Sequence, residues 1–136
     1  MIQHYVTMIL VMVVSGVLSS MWVWADKMSD IRISLNDIYM ILLMNGFMVF
    51  FMSLLDKQYI WAAGSALVVL VVLWLIRTQT FISKTQYFQG MLPHHSMAVH
   101  MSKRLLEKDG LTNEQKQFVN NIIETQAQEI EWMRST

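Results

Sequence analysis

Cysteine is absent from this chain of 136 residues, which removes disulfides, thiolate metal sites and a cysteine nucleophile at once and leaves the redox compartment undetermined. Charge is sparse. Asp, Glu, Lys and Arg make up 15% of the residues and cancel to a formal net charge of zero. No basic stripe with interleaved aromatics occurs, so nucleic acid is not an expected partner. Glu-x-x-His repeats with paired glutamates are missing, which argues against a di-iron carboxylate centre. Ser96 has no nucleophile-elbow motif around it, which argues against a Ser/His/Asp hydrolase. Apolar residues, in contrast, make up 54%, and methionine occupies 13 positions. Seven of those methionines fall inside long hydrophobic runs.

From Tyr5 to Ala25 no side chain is charged, and a helix over 5–25 is long enough to cross about 30 Å of hydrocarbon. A second uncharged run covers about 38–55 and a third 59–76. Trp22, Trp24, Tyr39, Tyr59, Trp61 and Trp74 lie near the ends of these runs, where amphipathic rings favour the headgroup zone. The connection Asp56-Lys57-Gln58 is short enough to force spans two and three into a tight hairpin. Three such segments buried in a soluble protein would need a far larger domain to cover them. Residues 1–76 are therefore expected to form a three-span transmembrane region of an integral membrane protein. Val23-Trp24-Ala25 loosely fits a signal-peptide cleavage site. The residues before the first run hold no Lys or Arg, however, and the run exceeds a usual signal core, so a retained span is expected.

Composition changes at Arg77. Residues 77–136 hold seven Lys/Arg and six Asp/Glu, and helical patterns cover about 83–108 and 113–134. Gly110 sits where a helix C-terminus favours positive φ. Thr112 followed three residues later by Gln115 reads as a capping box that opens the second helix. An antiparallel helical hairpin follows from so short a loop. With about fifty residues and one apolar stripe per helix, it can hardly bury a core alone. It is expected to pair with a second copy into a four-helix bundle, giving an all-α homodimer or larger homo-oligomer.

The densest feature is Met91-Leu92-Pro93-His94-His95-Ser96-Met97-Ala98-Val99-His100-Met101. Pro93 fits the first turn of a helix, so a restart at Pro93 with a bend at Gly90 is expected. At about 100° per residue, His94, His95, Ala98 and Met101 share one face. Met97 borders that face and His100 points away. Antiparallel packing is expected to bring Met133 and Glu129 near His94 and His95. Thioether sulfur is soft and uncharged and prefers Cu(I) or Ag(I) to Mg(II), Ca(II) or Zn(II), and imidazole suits copper too. Glu129 is better placed to orient an imidazole than to serve as a main ligand. Methionine at helical spacing is often core filler, but three histidines flanked by three methionines point to metal binding.

These residues, with Ile123, Gln126, Glu129, Ile130 and Met133 downstream, resemble domain-of-unknown-function family 305. Its hallmark is Met-x-Pro-His-His and a later Gln-x-x-Glu-Ile-x-x-Met. The resemblance covers about 88–134. It implies a ferritin-like helical fold, copper or silver binding, a role in metal resistance, and Met91, His94, His95, Met101 and Met133 as candidate ligands with Gln126 and Glu129 nearby. Met97 joins the ligand candidates from the cluster itself, and His100 is a further possible ligand or orienting group. His100 stands where the family commonly has an acidic residue, and longer members carry two hairpins where this chain has one.

Met40, Met44, Met48 and Met52 recur every four residues along span two, a slowly winding ladder of sulfurs about 18 Å long. A Met-x-x-x-Met span in a three-span protein resembles copper-transporting channels that assemble as trimers. Ala62-Ala63-Gly64-Ser65-Ala66 offers a small-residue packing surface. No ionisable side chain interrupts the spans, which argues against a proton-coupled pump. Lys27, Arg32, Arg77 and Lys84 on one side against Lys57 on the other place the helical domain in the cytoplasm. The family resemblance implies the periplasmic or extracellular face of a bacterial inner or plasma membrane. The leading expectation is a membrane-anchored binder of Cu(I) or Ag(I) for metal homeostasis or resistance, without catalysis. The alternatives are a Cu(I) transporter that uses the ladder of span two, and a metal-free oligomerisation module.

Overall fold

A computed structural model describes residues 2–135, in which five α-helices occur and no strand. The helices are α1 (Ile2–Leu18), α2 (Leu35–Leu55), α3 (Tyr59–Thr78), α4 (Lys84–Leu106) and α5 (Asn113–Ser135). Two 3-10 turns, Met21–Trp24 and Met28–Asp30, lie between α1 and α2. The chain divides into two units. One holds α1, α2 and α3, and the other joins Met21–Ser34 to the chain from Lys84 onward.

Three stretches, Gln3–Trp24, Leu35–Leu55 and Tyr59–Thr78, are long and apolar enough to cross a membrane. Helices α2 and α3 form the expected hairpin. Asp56 and Lys57 close the last turn of α2, Lys57 takes a left-handed φ of 57°, and the Gln58 amide donates to the Ser53 carbonyl at 2.7 Å. Small residues set the helix separation. A Cβ on Gly46 would lie 2.8 Å from Val69 Cγ2, and one on Gly16 would lie 2.9 Å from Ile41 Cγ1. Ala62 and Ser65 of the small-residue run are buried, whereas Gly64 has open space beside it. The Ser65 hydroxyl donates to the Trp61 carbonyl at 2.9 Å, so its polar group is satisfied within its own helix. The Tyr5 hydroxyl donates to Asp56 at 2.8 Å and its ring stacks on Trp61, tying α1 to the hairpin turn.

The first helix is shorter than the expected 5–25. It ends at Leu18, a length of about 25 Å. The Ser19 hydroxyl donates to the Ser15 carbonyl and the Ser20 hydroxyl to the Val17 carbonyl. Side-chain bonds of this kind compete with the helical ladder. Trp22 and Trp24 stand at the end of the first candidate stretch, in a 3-10 turn that packs on α4 within the second unit.

The second unit is the expected hairpin with an added layer. Gly110 ends the first helix region with φ of 92°. The capping box is reciprocal: the Gln115 amide donates to Thr112 Oγ1 at 3.2 Å and the Thr112 amide to Gln115 Oε1 at 2.9 Å. Leu92, Val99, Val119 and Ile130 are the buried apolar side chains of this unit. At about 1.5–3 kcal/mol each, they are a small driving force for ordering some fifty residues. The rest comes from Met21–Ser34, which lies across α4 as a strap.

Two expectations about α4 are corrected. The helix does not restart at Pro93 but runs through it from Lys84 to Leu106. A proline inside a helix costs one hydrogen bond and a steric clash. Here the Pro93 ring is buried, and α4 is packed by both α5 and the strap, which offsets that cost. Gly90 lies inside this continuous helix and not before its start. A Cβ there would lie 3.1 Å from Ser34 Oγ, so its missing side chain admits the strap, whose Ser34 is buried.

Candidate functional site

The double histidine is split by the helix that carries it. Successive residues point about 100° apart, so His95 turns toward α5 while His94 stays exposed. Their ring centroids are 5.9 Å apart. His95 is 9% exposed and held at both nitrogens. Its Nε2 lies 2.9 Å from Glu129 Oε2, and its Nδ1 lies 2.8 Å from the Met91 carbonyl oxygen. The same Glu129 oxygen accepts from Gln126 Nε2 at 3.2 Å. Both ring nitrogens therefore already lie within hydrogen-bond distance of protein oxygens in this arrangement. His95, Glu129 and Gln126 form a line of hydrogen bonds joining α4 to α5.

Round α4 from His95, the remaining soft donors form a stripe that runs from Met91, about 40° away from His95, to Met97, farthest from it. Met91 and His94, His94 and Met97, and Met97 and Met101 are spaced three or four residues apart, which makes them neighbours on a helix surface. His94 and Met101 are exposed, the latter at 52%, and Met91 and Met97 are half-buried. No carboxylate belongs to this stripe. Among the described residues no group of three or more His, Cys, Asp or Glu gathers where it could hold a metal. A neutral thioether and imidazole set suits a soft monovalent ion and not a hard divalent one.

The other expected residues fall elsewhere. Met133 lines a cavity with Phe88, Leu92, Arg32, Lys84 and Arg134, where three cationic side chains oppose a metal cation. Relative to the His95–Glu129 pair it stands one turn along α5, in register with Met91 one turn back along α4. His100 does not face the stripe; its Nδ1 lies 3.9 Å from Asp26 Oδ1. In the first unit, Met40 and Met44 are exposed on α2 and Met48 and Met52 half-buried.

Strap residues supply contacts that the sequence reading missed. Asp30 is 1% exposed. Its carboxylate accepts from Ser96 Oγ at 2.7 Å and from the Arg134 guanidinium in a very short contact. The hydrogen bond and charge of Asp30 push the Arg134 pKa above its ordinary value. The Asp26 amide donates to Ser96 Oγ at 2.8 Å, and the Asp26 carboxylate pairs with Lys103 at 2.6 Å. Ser96 therefore bridges both aspartates. The available signal was local: Asp26 and Asp30 are the acidic residues of an otherwise short and largely apolar connection.

An all-helical chain with three candidate spans and a Met/His hairpin is the class that this geometry defines. The chain belongs to domain-of-unknown-function family 305 (DUF305), whose pattern matches residues 77–136. The likeness also extends over the spans. The chain is 41% identical over 140 residues to an uncharacterised protein of Acanthamoeba polyphaga mimivirus, covering 95% of this chain and 90% of that one. No solved structure matches.

Proposed function

We propose that the protein is a membrane-anchored carrier of a soft monovalent ion, Cu(I) or Ag(I), serving metal homeostasis or resistance without catalysis. The observation that carries this reading is the stripe Met91, His94, Met97 and Met101 on α4, four soft donors at three- and four-residue steps, of which His94 and Met101 are exposed. Thioether ligands without thiolate bind such ions and release them readily. His95 acts in this reading through Glu129 and Gln126, fixing the face on which His94 stands.

The hairpin pairs with a second copy. Met101 and Leu105 on α4 and Phe118 on α5 are exposed apolar side chains, Phe118 at 66%, and a four-helix bundle would cover them. The stripe then lies beside or within the interface, so ligands from two chains complete the coordination. The exposed Met40 and Met44 are available to neighbouring copies, which keeps Cu(I) passage along span two as a second reading.

The test is competition for Cu(I) and Ag(I) between the full chain in detergent and a chelator of known affinity. His94→Ala is expected to weaken binding by at least about tenfold, and His95→Gln by less, since the ring nitrogens are already engaged. Failure of the wild-type chain to compete for either ion would end this reading. A monomer by mass measurement in detergent would end the bundle.

A further inference from the structure

A cavity of about 730 Å³ opens between the strap, the start of α4 and the end of α5. Its rim carries Arg32, Lys84 and Arg134, and its floor carries Phe88, Leu92 and Met133. Among the described residues no carboxylate lines it. Arg134 is committed to Asp30 and Glu131. Among the described residues Arg32 donates only to the carbonyl oxygens of Ser29 and Ile31, at 3.1 and 2.8 Å. Those bonds hold the guanidinium in place without neutralising it. Among the described residues Lys84 has no acidic partner either. The cavity thus presents two uncompensated cations above an apolar floor, and the Phe88 ring of that floor is fixed edge-on against Trp132 at 5.5 Å.

We propose that this cavity takes the phosphate headgroup of an anionic membrane phospholipid. A guanidinium and an ammonium side by side match a phosphate diester. The apolar floor has no use for an inorganic ion, but it matches the glycerol and first methylenes of a lipid. Chain separation supplies the ligand's source: Arg32 precedes α2 by three residues, and Lys84 follows the end of α3 by six. Extended chain covers at most about 3.6 Å per residue, so both cations are tethered within reach of the span ends. Basic residues just outside a span attract anionic lipid, each by about fivefold in affinity near the surface.

The experiment uses the full chain in neutral detergent. Native mass spectrometry counts bound phosphatidylglycerol and phosphatidylcholine from equimolar mixtures, with inorganic phosphate as a third arm. Wild type is expected to prefer phosphatidylglycerol. Arg32→Gln with Lys84→Gln should reduce that preference by about thirtyfold. Lys116→Gln, which removes a cation outside the cavity and far along the chain from the candidate spans, should leave it unchanged. Thr85→Glu adds a like charge to the ligand at the rim while removing no existing contact, and should also lower the preference. Equal binding of the two lipids by wild type would overturn the proposal, as would a Lys116→Gln effect equal to that of Arg32→Gln. Displacement of the lipid by millimolar phosphate would reassign the cavity to a free anion.

Discussion

Replacing Asp30 by Ala removes the carboxylate on which the strap's attachment to the hairpin centres. Asp30 is buried and bonded to Ser96 and Arg134. Breaking a buried ion pair by deleting one partner costs about 3–5 kcal/mol. The Arg134 side chain is 27% exposed and keeps Glu131, which lowers the expected loss to about 2–3 kcal/mol. Hydrogen exchange read by mass spectrometry on the full chain in detergent reports this locally. The slowest amides of α4 and α5 should lose protection by about 30–150-fold, since the hairpin opens through this unit. Asp26→Ala is the comparison: its partner Lys103 is half exposed, and the loss should stay under about fivefold. The Arg134 pKa is raised, so its contribution is complete below the ordinary arginine value and is lost only as pH rises through the higher folded value. That group therefore gives the Asp30→Ala defect no pH dependence between neutral and moderately alkaline solution. Protection in α4 and α5 within threefold of wild type, or a loss confined to residues 21–34, would refute the strap as a structural layer of the hairpin.

Gly46→Leu should separate α2 from α3, because even a Cβ would lie 2.8 Å from Val69 Cγ2. Overpacking of this kind costs about 1–3 kcal/mol, measured as a lower thermal aggregation temperature in detergent, and Gly64→Leu, with open space at its Cβ, should be tolerated. The absence of cysteine makes Glu124→Cys a unique label on the exposed face of α5. In sealed cells an impermeant maleimide should fail to reach it if the hairpin is cytoplasmic, as the positive charges propose, and labelling of intact cells would place the hairpin outside.

Local signals were legible wherever the physics was local. The Asp56-Lys57-Gln58 turn, the positive φ at Gly110 and the Thr112–Gln115 box each depend on a few adjacent residues, and each is present in the structure. Less was legible where distant segments decide. The early end of α1 follows from serine hydroxyls and from packing of Met21–Trp24 on α4. Helix continuity through Pro93 depends on partners on two sides. The Asp30–Arg134 pair spans 104 residues and leaves no periodicity to read. In the candidate site, adjacency of His94 and His95 suggested joint ligation. Their divergence around the helix gives one of them to Glu129 and leaves the other at the surface.

The strap has a consequence for biosynthesis. Residues 30 and 134 belong to one folded unit, yet the two candidate spans α2 and α3 lie between them in the chain. If both enter the bilayer as a pair, the chain returns to the leaflet it left, and the aspartate meets its arginine. If only one enters, the two charges are stranded across the lipid and the hairpin stays unlocked. Formation of the Asp30–Arg134 pair therefore requires an even number of crossings between residues 30 and 134.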